Sequence, residues 1–112
     1  MWLGTYDGLN LYDGYDLRTF KNRNGKTILK SNRIRSLAQD ENDNIWIGTD
    51  EGITIYNYNN NDFRNLNLRD KIGTEGGPIV LDILIDEERI LCGTESEGIV
   101  VFDDQHHFIG RY

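Results

Sequence analysis

The chain of 112 residues has a single cysteine, Cys92, so no disulfide can close within it. It contains no apolar run approaching the roughly 18 residues that a membrane-spanning helix requires, and this excludes direct contact with the bilayer core. Basic residues are in the minority, 12 Lys and Arg against 19 Asp and Glu, for a net charge of −7. Nucleic-acid phosphates need a basic face, so nucleic acid is not an expected partner. No window sustains helical periodicity over three turns, and LNLRDKI at residues 66–72 is the only stretch that tempts toward a helix. No signal peptide is expected at the start, because Trp2 already belongs to a strand-like stretch. Histidine is confined to His106 and His107, which are adjacent in a turn remote from Cys92. A Cys–His nucleophilic site would also lack its third, orienting group. Neighbouring turn residues point apart and no cysteine stands at zinc spacing, so the pair reads as a solvated turn, with no metal and no cofactor. Cys92, between Leu91 and Gly93, reads as a small buried hydrophobe.

What the chain does contain is one phrase written three times. WLGTYDGLNLY at residues 2–12, WIGTDEGITIY at 46–56 and LCGTESEGIVVF at 91–102 align on Gly4, Gly48 and Gly93, which are 44 and 45 residues apart. The separators repeat as well. Ile34 and Leu37 correspond to Val80 and Ile83, each pair is followed by an Asp-led turn at Asp40 or Asp86, and each phrase is followed by one aromatic, Phe20, Phe63 or Phe108. A period of about 40–50 residues marks a propeller blade or a solenoid unit.

NIWIG and GITIY are short, rich in β-branched and aromatic residues, and bounded by Gly, Asp and Asn, which predicts strands. Between them Asp50, Glu51 and Gly52 suit a tight turn closed by a residue of positive φ; Tyr6, Asp7 and Gly8 repeat it, and Glu95, Ser96, Glu97 and Gly98 repeat it with one insertion. No helix follows these glycines, so they do not form a phosphate cradle. Each unit is expected to hold four strands: A (residues 34–38), B (45–48), C (53–56) and D (about 62–66). Four short antiparallel strands per repeat make a β-propeller blade. The fold class expected is all-β: a partial β-propeller of about two and three-quarter blades, with a partial first blade at 1–30, a second at 31–75 and a third at 76–112. Propellers close with roughly four to eight blades, so the chain is expected either to be a piece of a longer one or to complete a ring as a homo-oligomer.

Several residue groups imitate functional sites. Asp40, Asn42, Asn44 and Glu51 fall at calcium-loop positions, but Ile45 occupies the obligatory glycine and the best strand would have to become loop. The carboxylates of Asp7, Asp50, Glu51, Glu95 and Glu97 gather in B-to-C turns, yet nothing isolates an acid–base pair in an apolar pocket, and turn geometry explains them. Lys21, Arg23, Lys26, Lys30, Arg33 and Arg35 cluster in the first D-to-A connection and read as a solvated loop on an acidic protein.

NIWIGTDEGITIY, preceded by NRIRSLAQDENDN, resembles the repeat of the two-component regulator propellers, the sensor regions of hybrid histidine kinases in Bacteroides-type bacteria. The family's strand reads Leu-Trp-Ile-Gly-Thr and is followed by Gly-Leu and a Tyr-Asp ending, which GLNLYD at residues 8–13 matches closely. The third copy departs, with Leu91 for Trp and Cys92 for Ile. The resemblance implies a periplasmic, non-catalytic sensor segment whose signal is a glycan breakdown product; the kinase, receiver and DNA-binding modules have no counterpart here. On that reading the candidate ligand groups are Tyr6 for stacking and Asp7, Arg33, Asp50 and Glu51 for hydrogen bonds to hydroxyls. An interaction scaffold is the competing reading, and a propeller lyase or hydrolase a further one.

Overall fold

The computed structural model of the chain describes residues 2–5, 8–12, 17–20, 29, 33–60, 62–66 and 78–112. Among these, every regular element is a strand, and no helix is long and apolar enough to cross a membrane. Three antiparallel sheets follow one another along the chain. The first pairs β1 (Trp2–Thr5), β2 (Gly8–Tyr12) and β3 (Leu17–Phe20) in sequence order. The second comprises β4 (Ile34–Gln39), β5 (Asn44–Thr49), β6 (Gly52–Asn57) and β7 (Asp62–Asn65), and the third β8 (Val80–Asp86), β9 (Arg89–Thr94), β10 (Ile99–Asp103) and β11 (Phe108–Arg111). One three-stranded and two four-stranded meanders make the partial propeller that the repeat predicts. The helix-like stretch at 66–72 lies outside the described residues from 67 onward.

The turn chemistry explains the hairpins. β5 and β6 pair from Asn44↔Asn57 to Thr49↔Gly52, leaving Asp50 and Glu51 to turn the chain. Gly52 closes the turn at φ 120°, and Gly8 and Gly98 do so at 114° and 71°, a region where a Cβ is strained. In the second and third sheets the Thr of the Gly-Thr dipeptide locks the turn. Thr49 Oγ1 donates to the Gly52 carbonyl at 2.8 Å and accepts from the Glu51 N–H at 3.1 Å. Thr94 repeats both bonds, to Gly98 at 2.7 Å and from Glu97 at 2.8 Å.

The core lies between the sheets in two layers. Leu9, Leu29, Ile34, Ile45, Ile47 and Tyr56 fill the first, with Phe20, Leu37 and Phe63 packed against it. Trp46, Ile53 and Ile55 from the second sheet meet Val80, Ile83, Ile90, Cys92, Val100 and Phe102 from the third. Successive side chains of a strand point to opposite faces, so Ile45 and Ile47 serve one layer while Trp46 serves the other. The middle sheet is thus covered on both sides, and every residue of β5 is buried. Each such large apolar side chain contributes about 1.5–3 kcal/mol on full burial. The recurring aromatic after each phrase completes the packing: Phe63 stacks on Tyr56 at 4.4 Å, Phe20 reaches Tyr56 at 5.3 Å, and Phe108 meets Phe102 at 6.1 Å.

Candidate ligand-binding face

Antiparallel meanders send B-to-C turns to one end of the sheets and A-to-B and C-to-D turns to the other. At the first end, Ile34 pairs with Thr49, which brings the residues on either side of Ile34 up to the Asp50 turn. The Asp50 carboxylate receives the Arg35 Nε, and Arg33 Nη1 stands 3.8 Å from its other oxygen. The Asp50 N–H also donates to the Arg33 carbonyl at 3.3 Å. Asp50 is accordingly a clamp on two guanidinium groups, with only 19% of its side chain exposed against 64% for Arg33. Glu51 is exposed beside them. In the third sheet the corresponding turn holds Glu97, whose carboxylate accepts from Arg111 Nη1 at 2.7 Å.

The structure brings Arg33, Asp50 and Glu51 together at one corner. Tyr6 and Asp7, the remaining two candidates, lie outside the described residues. Lys21, Arg23, Lys26 and Lys30 of the basic cluster do so too, while Arg35 is drawn into the Asp50 clamp.

The opposite end is organised around Asp40, which is buried. One of its oxygens accepts the N–H groups of Asn42 at 2.8 Å and Asn44 at 3.1 Å; the other accepts the Trp46 indole N–H at 2.9 Å and the Asn44 amide at 3.2 Å. Asp40 and Glu51 sit at opposite ends of β5, so the calcium-loop spacing has no spatial counterpart. Asp43, at φ 65°, accepts from the Tyr58 hydroxyl at 2.7 Å and from Asn59. These bonds hold the Asp43 carboxyl below its ordinary range, the Tyr58 contact contributing most, and raise the Tyr58 hydroxyl in return. Asp103 caps the third sheet's C-to-D turn by accepting from the backbone N–H groups of His107 and Gln105, both of which lower its pKa, His107 first.

His106 departs from the solvated turn expected of it. Its ring stands edge-on to Trp46 at 5.1 Å and 87°, carried there by a positive φ of 70°. Arg64 Nη1 approaches Nδ1 at 3.3 Å and the Asn44 amide approaches Nε2 at 3.4 Å. Both neighbours are donors, and a doubly protonated ring would set an N–H against each. Burial foremost, and then the Arg64 charge, push the His106 pKa down. His107, by contrast, projects outward at 76% exposure. No local sequence signal marks the contact, because Trp46 and His106 meet only across two sheets.

Burial pushes the Cys92 thiol up to about 12, so it packs as a hydrophobe and does not ionise near neutrality. Among the described residues, no group of three or more His, Cys, Asp or Glu side chains is placed to hold a metal ion.

Residues 28–51 match the family model described as two component regulator propeller. The chain carries a two-component regulator propeller repeat. The matched segment runs through β4 and β5 to the Asp50 turn, and so includes Arg33, Asp40 and Trp46. No curated protein matches the chain. Among solved structures, it is similar to an extracellular domain described as part of a hybrid two component system of B. thetaiotaomicron, with a TM-score of 0.82 and 24% identity over 97% of this chain and 16% of that one. A second extracellular domain of that description and organism is similar with a TM-score of 0.72 and 25% identity, over 99% of this chain and 17% of that one. The chain thus spans about one sixth of the length of either domain. Both likenesses support the propeller architecture across all three sheets.

Proposed function

We propose that the chain is a ligand-sensing part of a periplasmic propeller in a hybrid two-component sensor kinase, that its signal is an oligosaccharide released by glycan breakdown, and that the segment itself is non-catalytic. The observation carrying this reading is the family match over residues 28–51, which contains the Arg33, Asp50 and Glu51 corner. The extracellular setting of the two similar domains supports the compartment.

The chemistry of the corner suits a polyhydroxylated ligand. Asp50 restrains the arginine pair, so less rotamer freedom is lost when Arg33 donates to a hydroxyl. Glu51 supplies an acceptor beside it, with Tyr6 and Asp7 as further candidates from the neighbouring turn. Rigid sheets then transmit no deformation of their own. The ligand acts by binding one arrangement of the receptor more tightly than another, which shifts the kinase equilibrium.

Calorimetric titration of an oligosaccharide panel into the protein tests the proposal. Loss of one charge-assisted hydrogen bond in Arg33→Ala is expected to weaken binding about 10- to 100-fold. Full affinity in both Arg33→Ala and Tyr6→Ala rejects this corner, and absence of heat with every glycan rejects the ligand class.

A further inference from the structure

The second and third sheets also meet through the turn between β10 and β11. That turn is tied within itself: the Asp103 carboxylate accepts the N–H groups of Gln105 and His107, and the Asp103 carbonyl accepts the His106 N–H at 3.1 Å. His106 stands in it at φ 70°, a left-handed conformation that a side chain adopts at a cost unless its surroundings hold it there. What holds it belongs to the second sheet. The imidazole lies against Trp46 of β5 and between two nitrogens, with Asn44 Nδ2 at 3.4 Å from Nε2 and Arg64 Nη1 at 3.3 Å from Nδ1.

The Asn44 amide is not free to turn its oxygen toward the ring. The backbone N–H groups of Asn59 and Asn60 each donate to Asn57 Oδ1 at 3.1 Å, which leaves the Asn57 amide nitrogen to donate to Asn44 Oδ1 at 2.9 Å. Asn44 Nδ2 in turn donates to Asp40 Oδ2 at 3.2 Å, the oxygen that also holds the Trp46 indole. Fixed backbone donors thus dictate which end of Asn44 faces His106. Arg64, for its part, has donors only. A neutral imidazole offers one acceptor nitrogen and satisfies one of these two neighbours, whereas an imidazolium offers none and satisfies neither.

We propose that His106 is a proton-operated latch: the neutral ring ties the turn between β10 and β11 to the second sheet, and protonation releases it. The charges around the ring pull in both directions. Burial most of all, then Arg64 from β7 and His107 from the same turn, oppose the imidazolium, while Asp40 across the joint and Asp103 favour it. Glu41, Glu87, Glu88 and Asp104 line the open cleft beside Asp40, and their charges favour it as well. The balance lies with the neutral ring, whose folded pKa is below the ordinary 6.5. A released ring regains the ordinary value, so the latch is closed above about pH 6.5 and opens as pH falls through the folded value. The core beneath keeps its place, since Trp46 packs on Phe102 at 5.6 Å and bonds Asp40 without help from His106. The change is confined to the turn and to the Asn44 and Arg64 edge that it covers, which gives this end of the sheets two pH-dependent forms. The inference rests on this joint alone and stands apart from the sensing role.

Nuclear Overhauser contacts and the indole N–H shift of Trp46, followed by NMR as pH is lowered from neutrality, test the latch. The indole N–H is expected to titrate with a midpoint below 6.5. The contact between the indole and the His106 ring is expected above that midpoint and lost below it, while the contact between Trp46 and Phe102 persists throughout. His106→Gln is expected to abolish the titration and His107→Gln to leave it in place. Arg64→Leu, which removes one donor and its charge, is expected to raise the midpoint. An indole that does not titrate overturns the proposal, as does an indole–imidazole contact that survives below the midpoint. So does a titration that persists in His106→Gln, disappears in His107→Gln, or keeps its midpoint in Arg64→Leu. Loss of the Phe102 contact at the same pH overturns it too, since the molecule would then be unfolding and not unlatching.

Discussion

Asp40 is the residue on which the second sheet's first turn depends. Its two oxygens are divided, one for the backbone of the turn and one for the Trp46 indole and the Asn44 amide. Asp40→Ala is expected to cost about 2–4 kcal/mol in urea unfolding, since it leaves a buried indole N–H without an acceptor. Asp40→Asn is expected to rescue little, because its amide would place donors against donors. The turn itself was legible: an Asp leading a run of Asn and Asp closes by accepting its own backbone N–H groups. The indole bond was not, since it depends on how the pleat of β5 aims Trp46. His106 was less legible still. Its ring is approached by Arg64, Asn44 and Trp46 and lies within the fields of Asp40, Asp103 and His107. Because its folded pKa lies below the ordinary 6.5, the stability that depends on the neutral ring is present above about pH 6.5 and is lost as pH falls through the folded value. The difference in Tm between the wild type and His106→Phe, which keeps the ring but cannot titrate, is expected to move in favour of the variant between pH 7.5 and pH 5. A constant difference across that range would refute it.

Hairpin by hairpin, the Gly-Thr phrase was the most readable part of the chain, because the turn needs both of its members for local reasons. Gly52→Ala places a Cβ at φ 120° and is expected to lower stability by about 1–3 kcal/mol. Thr49→Val keeps the shape and deletes the hydroxyl that bonds Gly52 and Glu51, for an expected loss of about 1–2 kcal/mol by thermal unfolding. The other glycine of the phrase was misleading in isolation. Gly48 is required by close approach of Ser36 on the paired strand and of Val80 from the next sheet, and nothing in a single strand's pattern distinguishes that demand from a turn or a bulge. The third sheet's first turn also diverges from its counterpart. Asp86 pairs with Arg89 directly, with Glu87 at φ 54°, so this A-to-B turn is shorter than that led by Asp40, and Leu91 has no indole to offer.

Across the molecule, stability is expected to follow coverage. The second sheet has a layer on each face, whereas the third has one face bare. Native-state amide exchange is expected to be slowest in β5 and β6 and fastest in β11; uniform protection across the three sheets would contradict the layered core. The period of the repeat made the architecture legible from spacing alone. The joints were not, because residues 30 or more apart meet there and single-chain periodicity records only what each strand does in its own sheet.

Ile34 and Val80 each open an inner strand just before a register shift and pack against Gly4 and Gly48 of the preceding sheet, so the second sheet has a donor side and an acceptor side. Such a contact is heterologous: like cannot meet like across a two-fold axis, and units joined this way either close a circle or continue as a fibre. The number of wedges and the small turn between successive ones therefore decide solubility as well as shape.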